Sequence, residues 1–225
     1  MVGVLIVLGG LGWYIINATN QSVTSTTAST SLEAYGLGTT TPSGSSTTPS
    51  SEDYSPAGST INLANVMQAT LHTSMGDITV EFYPDQAPDA VQNFLKLASS
   101  GFYDNTKFHR VIKGFMDQGG DPLTKDDSQA SAWGTGGPGY TIPDEFGTKY
   151  TNTAGTLAMA NTGQPNSSGS QFFINAVDNH FLDGKYSVFG HVTAGMDVVT
   201  AINNTPTDAS DRPLTPVVLK SITLK

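Results

Sequence analysis

The sequence predicts a mainly β domain, a closed antiparallel barrel with two isolated helices, behind an apolar N-terminal helix and a disordered linker. Three observations carry this expectation. Short β-type segments recur between glycine-rich turns, only two stretches of the domain have helical spacing, and the composition changes sharply near residue 66. Residues 19–60 hold 22 Ser or Thr in 42 positions, and such a stretch cannot bury enough apolar area to offset chain entropy. Beyond it lie about 160 residues, enough for one unit with its own core.

Taken in order, Met1 to Ile16 is apolar and uncharged, with Val2, Leu5, Ile6, Leu8, Leu11, Trp13 and Ile16 among its residues. As a helix it would extend ~24 Å, short of a ~30 Å hydrocarbon core. Trp13 and Tyr14 suit a headgroup interface. The segment reads as a membrane anchor or, with Ile16-Asn17-Ala18 as a cleavage site, as a removable signal peptide, although a basic region ahead of it is missing. A core segment is the bland reading, but the stalk that follows offers nothing to pack against. Either export reading puts the domain outside the cytoplasm, membrane-anchored or secreted. Residues 17–65 read as a Ser/Thr-rich linker that would hold the domain roughly 35 Å from the anchor.

The domain proper is expected over 66–225. Val66–Thr73 and Asp77–Tyr83 read as strands joined at Ser74-Met75-Gly76; in the second, Ile78, Val80 and Phe82 alternate with Thr79, Glu81 and Tyr83. The period changes over Ala87–Ser100, where Ala90, Val91, Phe94, Leu97 and Ala98 fall at helical spacing, Pro88 and Asp89 open the first turn and Gly101 follows the end. Further β-type segments are Thr106–Ile112, Phe115–Gln118, Thr156–Ala160, Gln171–Ala176 and Ser187–Val192. A second helix covers Gly195–Asn203, and Val217–Leu224 makes the last strand.

Composition excludes several functions. Net charge is −9 and the first Lys or Arg is Lys96, so no basic patch is available to neutralise phosphates and nucleic acid is not an expected partner. There is no cysteine, which removes disulfides, thiolate catalysis and most zinc sites. No cofactor or metal is expected. Gly134-Thr135-Gly136-Gly137-Pro138-Gly139 fits a dinucleotide fingerprint, but Tyr140-Thr141-Ile142-Pro143 follows it where a helix is required. Asp121, Asp126 and Asp127 lack calcium-loop spacing and read as a solvated acidic loop.

Three segments carry the chemistry: Phe108-His109-Arg110-Val111-Ile112-Lys113-Gly114-Phe115-Met116-Asp117-Gln118-Gly119-Gly120-Asp121; Leu157-Ala158-Met159-Ala160-Asn161 with Asn166-Ser167-Ser168-Gly169-Ser170-Gln171-Phe172-Phe173-Ile174; and Phe181-Leu182-Asp183-Gly184-Lys185-Tyr186-Ser187-Val188-Phe189-Gly190. In order, spacing and flanking residues they resemble the cyclophilin family of peptidyl-prolyl cis/trans isomerases, and the resemblance runs from about Val66 to Lys225. It implies an eight-stranded barrel capped by two helices, with a substrate groove on the outer face. It further implies that Arg110 is catalytic and that Phe115 and Met116 are floor and wall of a proline pocket. Gln118 would hold the substrate backbone, Ala160 and Asn161 would pair with the peptide main chain, and Gln171, Phe173 and Leu182 would be further pocket residues. The partners implied are proline-containing, flexible protein segments, bound by a monomer.

Elementary chemistry supports the same roles. An X-Pro amide rotates over a barrier of ~18–20 kcal/mol because it is conjugated. Twisting ends the conjugation and leaves a lone pair on the prolyl nitrogen, which a guanidinium can bond better than it bonds the planar amide. Arginine donates at every physiological pH from a rigid fork. Phe115, Met116, Phe173 and Leu182 would enclose the ring.

Taken without its motif, Arg110 would read as a surface ion-pair residue, Phe108, Phe172 and Phe189 read as core, and His109 reads as structural or hydrogen-bonded. The sequence also departs from the family. Phe181 stands where many members have a tryptophan whose N–H helps hold cyclosporin, so weakened cyclosporin binding is expected. Tyr186 replaces a histidine and can still wall the pocket, and Thr162 replaces a frequent alanine at the groove's edge. Leu123 to Trp133 is longer than the compact form of the family, and this acidic, Trp-bearing loop is expected to add contacts to a partner. The expected activity is prolyl isomerisation by an extracytoplasmic folding factor. The alternatives are a proline-segment-binding module with incidental turnover, and a display protein whose barrel is only a scaffold.

Overall fold

The computed structural model describes residues 62–225. The expected N-terminal helix and the linker up to residue 61 lie outside the described residues. Among the described residues no helix is long and apolar enough to cross a membrane. Leu63–Asn65 form a 3-10 turn, with the Asn62 side chain accepting the Ala64 N–H at 3.1 Å. Leu63 packs on the core.

Among the described residues the architecture is mainly β, one curled, antiparallel, nine-stranded sheet with two α-helices, in place of the expected closed eight-stranded barrel. Its strands are β1 (Gln68–Thr73), β2 (Gly76–Phe82), β3 (Thr106–Lys107), β4 (Arg110–Ile112), β5 (Met116–Gly119), β6 (Thr156–Met159), β7 (Phe172–Asn175), β8 (Val188–Ala194) and β9 (Val218–Leu224). They lie in the order β3-β9-β1-β2-β8-β6-β7-β5-β4. The sequence reads 106–112 as one strand; the structure divides it, because β3 pairs with β9 whereas β4 pairs with β5. Phe108 and His109, between them, donate main-chain N–H bonds to Val217 (2.9 Å) and Gln118 (3.0 Å). The two outermost strands of the order are thus consecutive pieces of one extended stretch.

Helix α1 (Pro88–Ser99) buries Ala90, Val91, Phe94, Leu95, Leu97 and Ala98 against the sheet. Its first residues meet no side-chain cap from Ala87. The carboxylate of Glu145, from a distant loop, accepts the N–H groups of Asp89 (3.0 Å) and Ala90 (2.9 Å) instead, satisfying orphan donors and favouring the dipole. Helix α2 (Met196–Asn203) buries Val199, Ile202 and Asn203.

Period-2 alternation sorts the apolar side chains of the central strands onto two faces. Leu157, Met159, Phe172 and Ile174 enter the main core with Phe82, Phe94, Phe108 and Phe189. Ala158 and Phe173, one residue out of phase, join Met116, Leu182 and Val188 in a second, smaller cluster on the opposite face. Phe108, Phe172 and Phe189 are core, as read from the sequence.

Candidate functional site

A run of sheet that is apolar on both faces needs something to cover its outer side. Here the cover is partial. Met116 and Phe173 are buried, with Leu182 at their edge, while Phe115, Tyr186, Ile112 and Ala160 pack around them half-buried. Phe181 lies over this patch, 63% exposed, stacked on Phe115 at 5.6 Å between centroids. The Tyr186 ring meets Phe173 edge-on at 5.4 Å. The result is an apolar depression walled by aromatic rings.

Register brings polar groups to its rim. Arg110 is opposite Gln118, Gln118 opposite Phe173, and Phe173 opposite Ala158, so these four form one row across β4, β5, β7 and β6. The row passes from an exposed cation through an amide to the apolar patch. Ile112 and Met116 form the next row. Arg110 reaches Gln118 Oε1 from Nη1 at 3.4 Å, and Gln118 Nε2 donates to Gln171 Oε1 at 3.0 Å. Gln171 Nε2 in turn donates to the carbonyls of Gly134 (3.0 Å) and Gly136 (2.8 Å). One chain of bonds therefore runs from the guanidinium to the glycine-rich loop.

That loop forms one wall of an open cleft of about 650 Å³ beside the patch. Gln118, Gln171, Ala160, Asn161 and Thr162 also line it. The cleft and the aromatic patch adjoin at Ala160, which packs on the patch and also lines the cleft. The stretch 134–139 is a loop, as its failure of the dinucleotide test requires. The N–H of Ala160 is taken by the Gln171 carbonyl at 2.9 Å. The Asn161 side chain is fixed by bonds to the Lys185 carbonyl (2.9 Å) and from the Gly163 N–H (3.0 Å). Among the described residues none uses the main-chain N–H or C=O of Asn161.

The scaffold under the patch is polar and largely satisfied. Asn179 Nδ2 donates to the Phe115 carbonyl (3.0 Å) and to Asn175 Oδ1 (2.7 Å). Asn203, at the end of α2, accepts the Gly114 N–H (2.8 Å) and donates to the Ile112 carbonyl (2.9 Å) and Asp117 Oδ1 (2.8 Å). The turn before Phe115 is thereby tied to α2. Asp117 points inward from between Met116 and Gln118, fully buried, and its second oxygen has no partner among the described residues. Loss of hydration pushes its carboxyl up to about 7, against a lowering by the Asn203 bond.

The structure brings together all the residues named from sequence: Arg110, Phe115, Met116, Gln118, Ala160, Asn161, Gln171, Phe173, Phe181, Leu182 and Tyr186 line the patch or the cleft beside it. Sequence reasoning did not find Asp117, Val188 or Asp211, whose carboxylate stands 3.7 Å from Arg110 Nε. Val188 was visible as the out-of-phase residue of its strand; nothing local marks Asp211.

One expectation needs correction. Asp121 does not belong to a solvated loop: it is fully buried, and its carboxylate accepts the N–H groups of Leu123 (2.7 Å), Gly134 and Gly136 (3.3 Å). Among the described residues no cluster of His, Cys, Asp or Glu could hold a metal ion. His109 is buried as a structural residue would be; neither ring nitrogen meets a hydrogen-bond partner among the described residues, and desolvation holds it down to about 4. The 123–133 stretch is no plain loop but two 3-10 turns, Pro122–Lys125 and Asp127–Ala132, closed by Trp133, which donates to the carbonyls of Leu123 (3.0 Å) and Asp126 (3.2 Å).

Comparison with known proteins agrees with this geometry. The family model described as cyclophilin type peptidyl-prolyl cis-trans isomerase/CLD matches residues 68–224. Peptidyl-prolyl cis-trans isomerase-like 3 of Dictyostelium discoideum is 45% identical over 159 residues, spanning 70% of this chain and 95% of its own. Peptidyl-prolyl cis-trans isomerase CYP18-1 of Arabidopsis thaliana is 43% identical over 159 residues, covering 70% and 96%. The crystal structure of a Cryptosporidium parvum cyclophilin type peptidyl-prolyl cis-trans isomerase superposes with a TM-score of 0.65 at 36% identity, over 71% of this chain and 98% of that one. A second structure of that protein, in the presence of the dipeptide Ala-Pro, gives 0.64.

Proposed function

The chain belongs to the cyclophilin-type peptidyl-prolyl cis-trans isomerases, and from that premise we propose that Arg110 is its catalytic residue and the aromatic patch its proline pocket. The observation that supports this is the cross-strand row Arg110–Gln118–Phe173, which sets a cation at the rim of an apolar depression. A pyrrolidine ring against Phe115, Met116, Phe173, Leu182 and Tyr186 loses water on its apolar faces, and shape holds it there. The carbonyl preceding the proline is then free to swing while the ring stays fixed. As the C–N bond twists, the prolyl nitrogen becomes pyramidal and basic, and the Arg110 fork donates to it. The planar ground state offers no such acceptor, so the bond acts on the transition state alone.

Gln118 and Gln171 continue that donor line towards the cleft, where the unused main-chain groups of Asn161 can pair with the peptide backbone. A proline in the patch sends the neighbouring residues of an extended peptide into the cleft. Nothing in the reaction forms or breaks a covalent bond. The test is Arg110→Ala on a proline tetrapeptide: kcat/KM should drop by about 100-fold or more, with little change in Tm because the side chain is exposed. Full turnover in that variant sinks the assignment.

We further propose that the enzyme works outside the cytoplasm as a monomeric folding factor, held to a membrane by residues 1–16 or released by cleavage after them. The support is the apolar run of 1–16 followed by the Ser/Thr-rich 19–60. Fractionating cells and sequencing the mature N-terminus tests it; an intact chain in the cytosolic fraction rejects it. The runner-up, a proline-segment-binding module, is separated by asking whether Arg110→Ala still rescues a deletion phenotype.

A further inference from the structure

Arg110 is held from two sides. Gln118 meets Nη1 from the neighbouring strand, and on the other flank the Asp211 carboxylate stands 3.7 Å from Nε. Asp211 belongs to the loop between α2 and β9, and its own backbone is unusual. It is one of three non-glycine residues with positive φ among the described residues, at 61°. Left-handed backbone disfavours side chains, although Asp and Asn tolerate it better than most. Such a conformation persists only where its surroundings over-determine it, and it clusters at functional sites.

The surroundings here do so. Asp208 Oδ1 accepts the N–H groups of Ser210 (2.8 Å) and Arg212 (3.0 Å). The Asp208 N–H donates to the Arg212 carbonyl at 2.8 Å, and the Asp211 N–H to the Asp208 carbonyl at 3.1 Å. The Asp211 carbonyl accepts the N–H of Val111, the residue after Arg110, at 2.8 Å. The turn is therefore stitched to β4 beside the arginine. Its outer side is fixed as well: Arg212 donates to the Ala130 carbonyl at 2.9 Å and lies 4.8 Å over the Trp133 ring, with Lys107 also 4.8 Å from that ring. The acidic Trp-bearing stretch thus braces the loop that carries Asp211.

We infer that Asp211 is a positioning residue for prolyl isomerisation, its carboxylate holding the Arg110 guanidinium by the Nε edge so that the Nη fork stays aimed along Gln118 towards the proline pocket. Trp133 and Arg212 hold the turn in place from behind. The inference rests on the proposed catalytic role of Arg110. An unbraced arginine on an exposed strand edge samples many rotamers, and each misaimed rotamer is lost to catalysis. An ion pair exposed to water is weak, so the expected effect is modest and falls on turnover more than on binding.

The test is a double-mutant cycle on the full 225-residue chain. Asp211→Asn keeps a residue that accepts left-handed backbone and removes only the charge. It should lower kcat about fivefold with KM and Tm unchanged, and shift and broaden the Arg110 Nε–H signal in NMR spectra. In an Arg110→Ala background the same substitution should cost nothing further. An unchanged kcat and an unmoved Nε–H signal in Asp211→Asn, with Arg110→Ala inactive, overturn the role of Asp211 and leave Arg110 as the catalytic residue. Equal losses in both backgrounds, or a falling Tm, show a merely structural turn and overturn it too. Full activity in Arg110→Ala removes the premise itself.

Discussion

Asp117→Asn replaces a fully buried carboxyl by its neutral isostere at the centre of the strand that carries Met116 and Gln118. The Asn203 side chain can still donate to the remaining oxygen, as it does now at 2.8 Å. What changes is the cost of ionisation. Burial pushes the Asp117 carboxyl up to about 7 from an ordinary 3.8. In the unfolded chain it ionises near pH 4, whereas in the native state it holds its proton until about 7. Over that window the unfolded state binds fewer protons, so native stability falls as pH rises, by about 1.4 kcal/mol per pH unit. Across about three units the deficit approaches 4 kcal/mol, and above pH 7 it stays constant. Below pH 4 both states are protonated and no deficit exists.

The expected outcome is therefore a difference curve. Urea unfolding of the two proteins, from pH 4 to pH 8.5, should give similar midpoints at the acid end and a growing advantage for Asp117→Asn up to neutrality. Carboxylates whose proton affinity is lowered in the fold by hydrogen bonds, such as Asp126 and Asp208, impose the opposite slope on both proteins and cancel in the difference. Parallel curves, offset by a constant amount at every pH, would refute the reasoning: the carboxyl would then be solvated or paired in the native state.

Phe181→Trp should tighten cyclosporin about tenfold by restoring an N–H donor at an exposed ring, and isothermal titration checks it; equal affinities reject the donor argument. Phe173→Ala removes a buried ring of the patch, so kcat/KM on proline peptides should fall steeply and stability by about 3 kcal/mol, read by coupled assay and by urea midpoint. Gly120→Ala brings a Cβ to 2.5 Å from the Ser170 carbonyl oxygen and 3.1 Å from Gln171 Cα at a φ of +85°. Since main chain cannot yield cheaply, at least about 2 kcal/mol should be lost, and a wild-type Tm would contradict it.

The sequence reveals patterns that repeat at a fixed period and motifs whose members are neighbours. It is silent on pairings made at long range. The helices and most strands were legible because Phe94, Leu97 and Ala98, or Ile78, Val80 and Phe82, announce a period of 3.6 or 2. Thr106–Ile112 read as one strand because alternation reports which face a residue takes, not which partner its backbone meets; the change from β9 to β5 at Phe108–His109 leaves no trace in side-chain order. Asp121 was misjudged for a related reason, whereas Asp126 and Asp127 are exposed as expected. A carboxylate that accepts three backbone N–H groups looks the same in sequence as one left in water, because its partners are amides that every residue carries.

The site divides along the same line. Arg110, Phe115, Met116 and Gln118 sit within nine positions and were found through their motif, whereas Asp211 reaches the arginine only because β9 runs beside β3 and returns the α2 loop to the start of β4. Its marks, a positive φ and a carboxylate facing a guanidinium, are properties of the folded chain alone. A residue that supports catalysis from another element is therefore the kind that motif reading must miss. Arg110 is exposed on the last strand of the sheet order, and both of its side-chain partners, Gln118 and Asp211, come from outside β4.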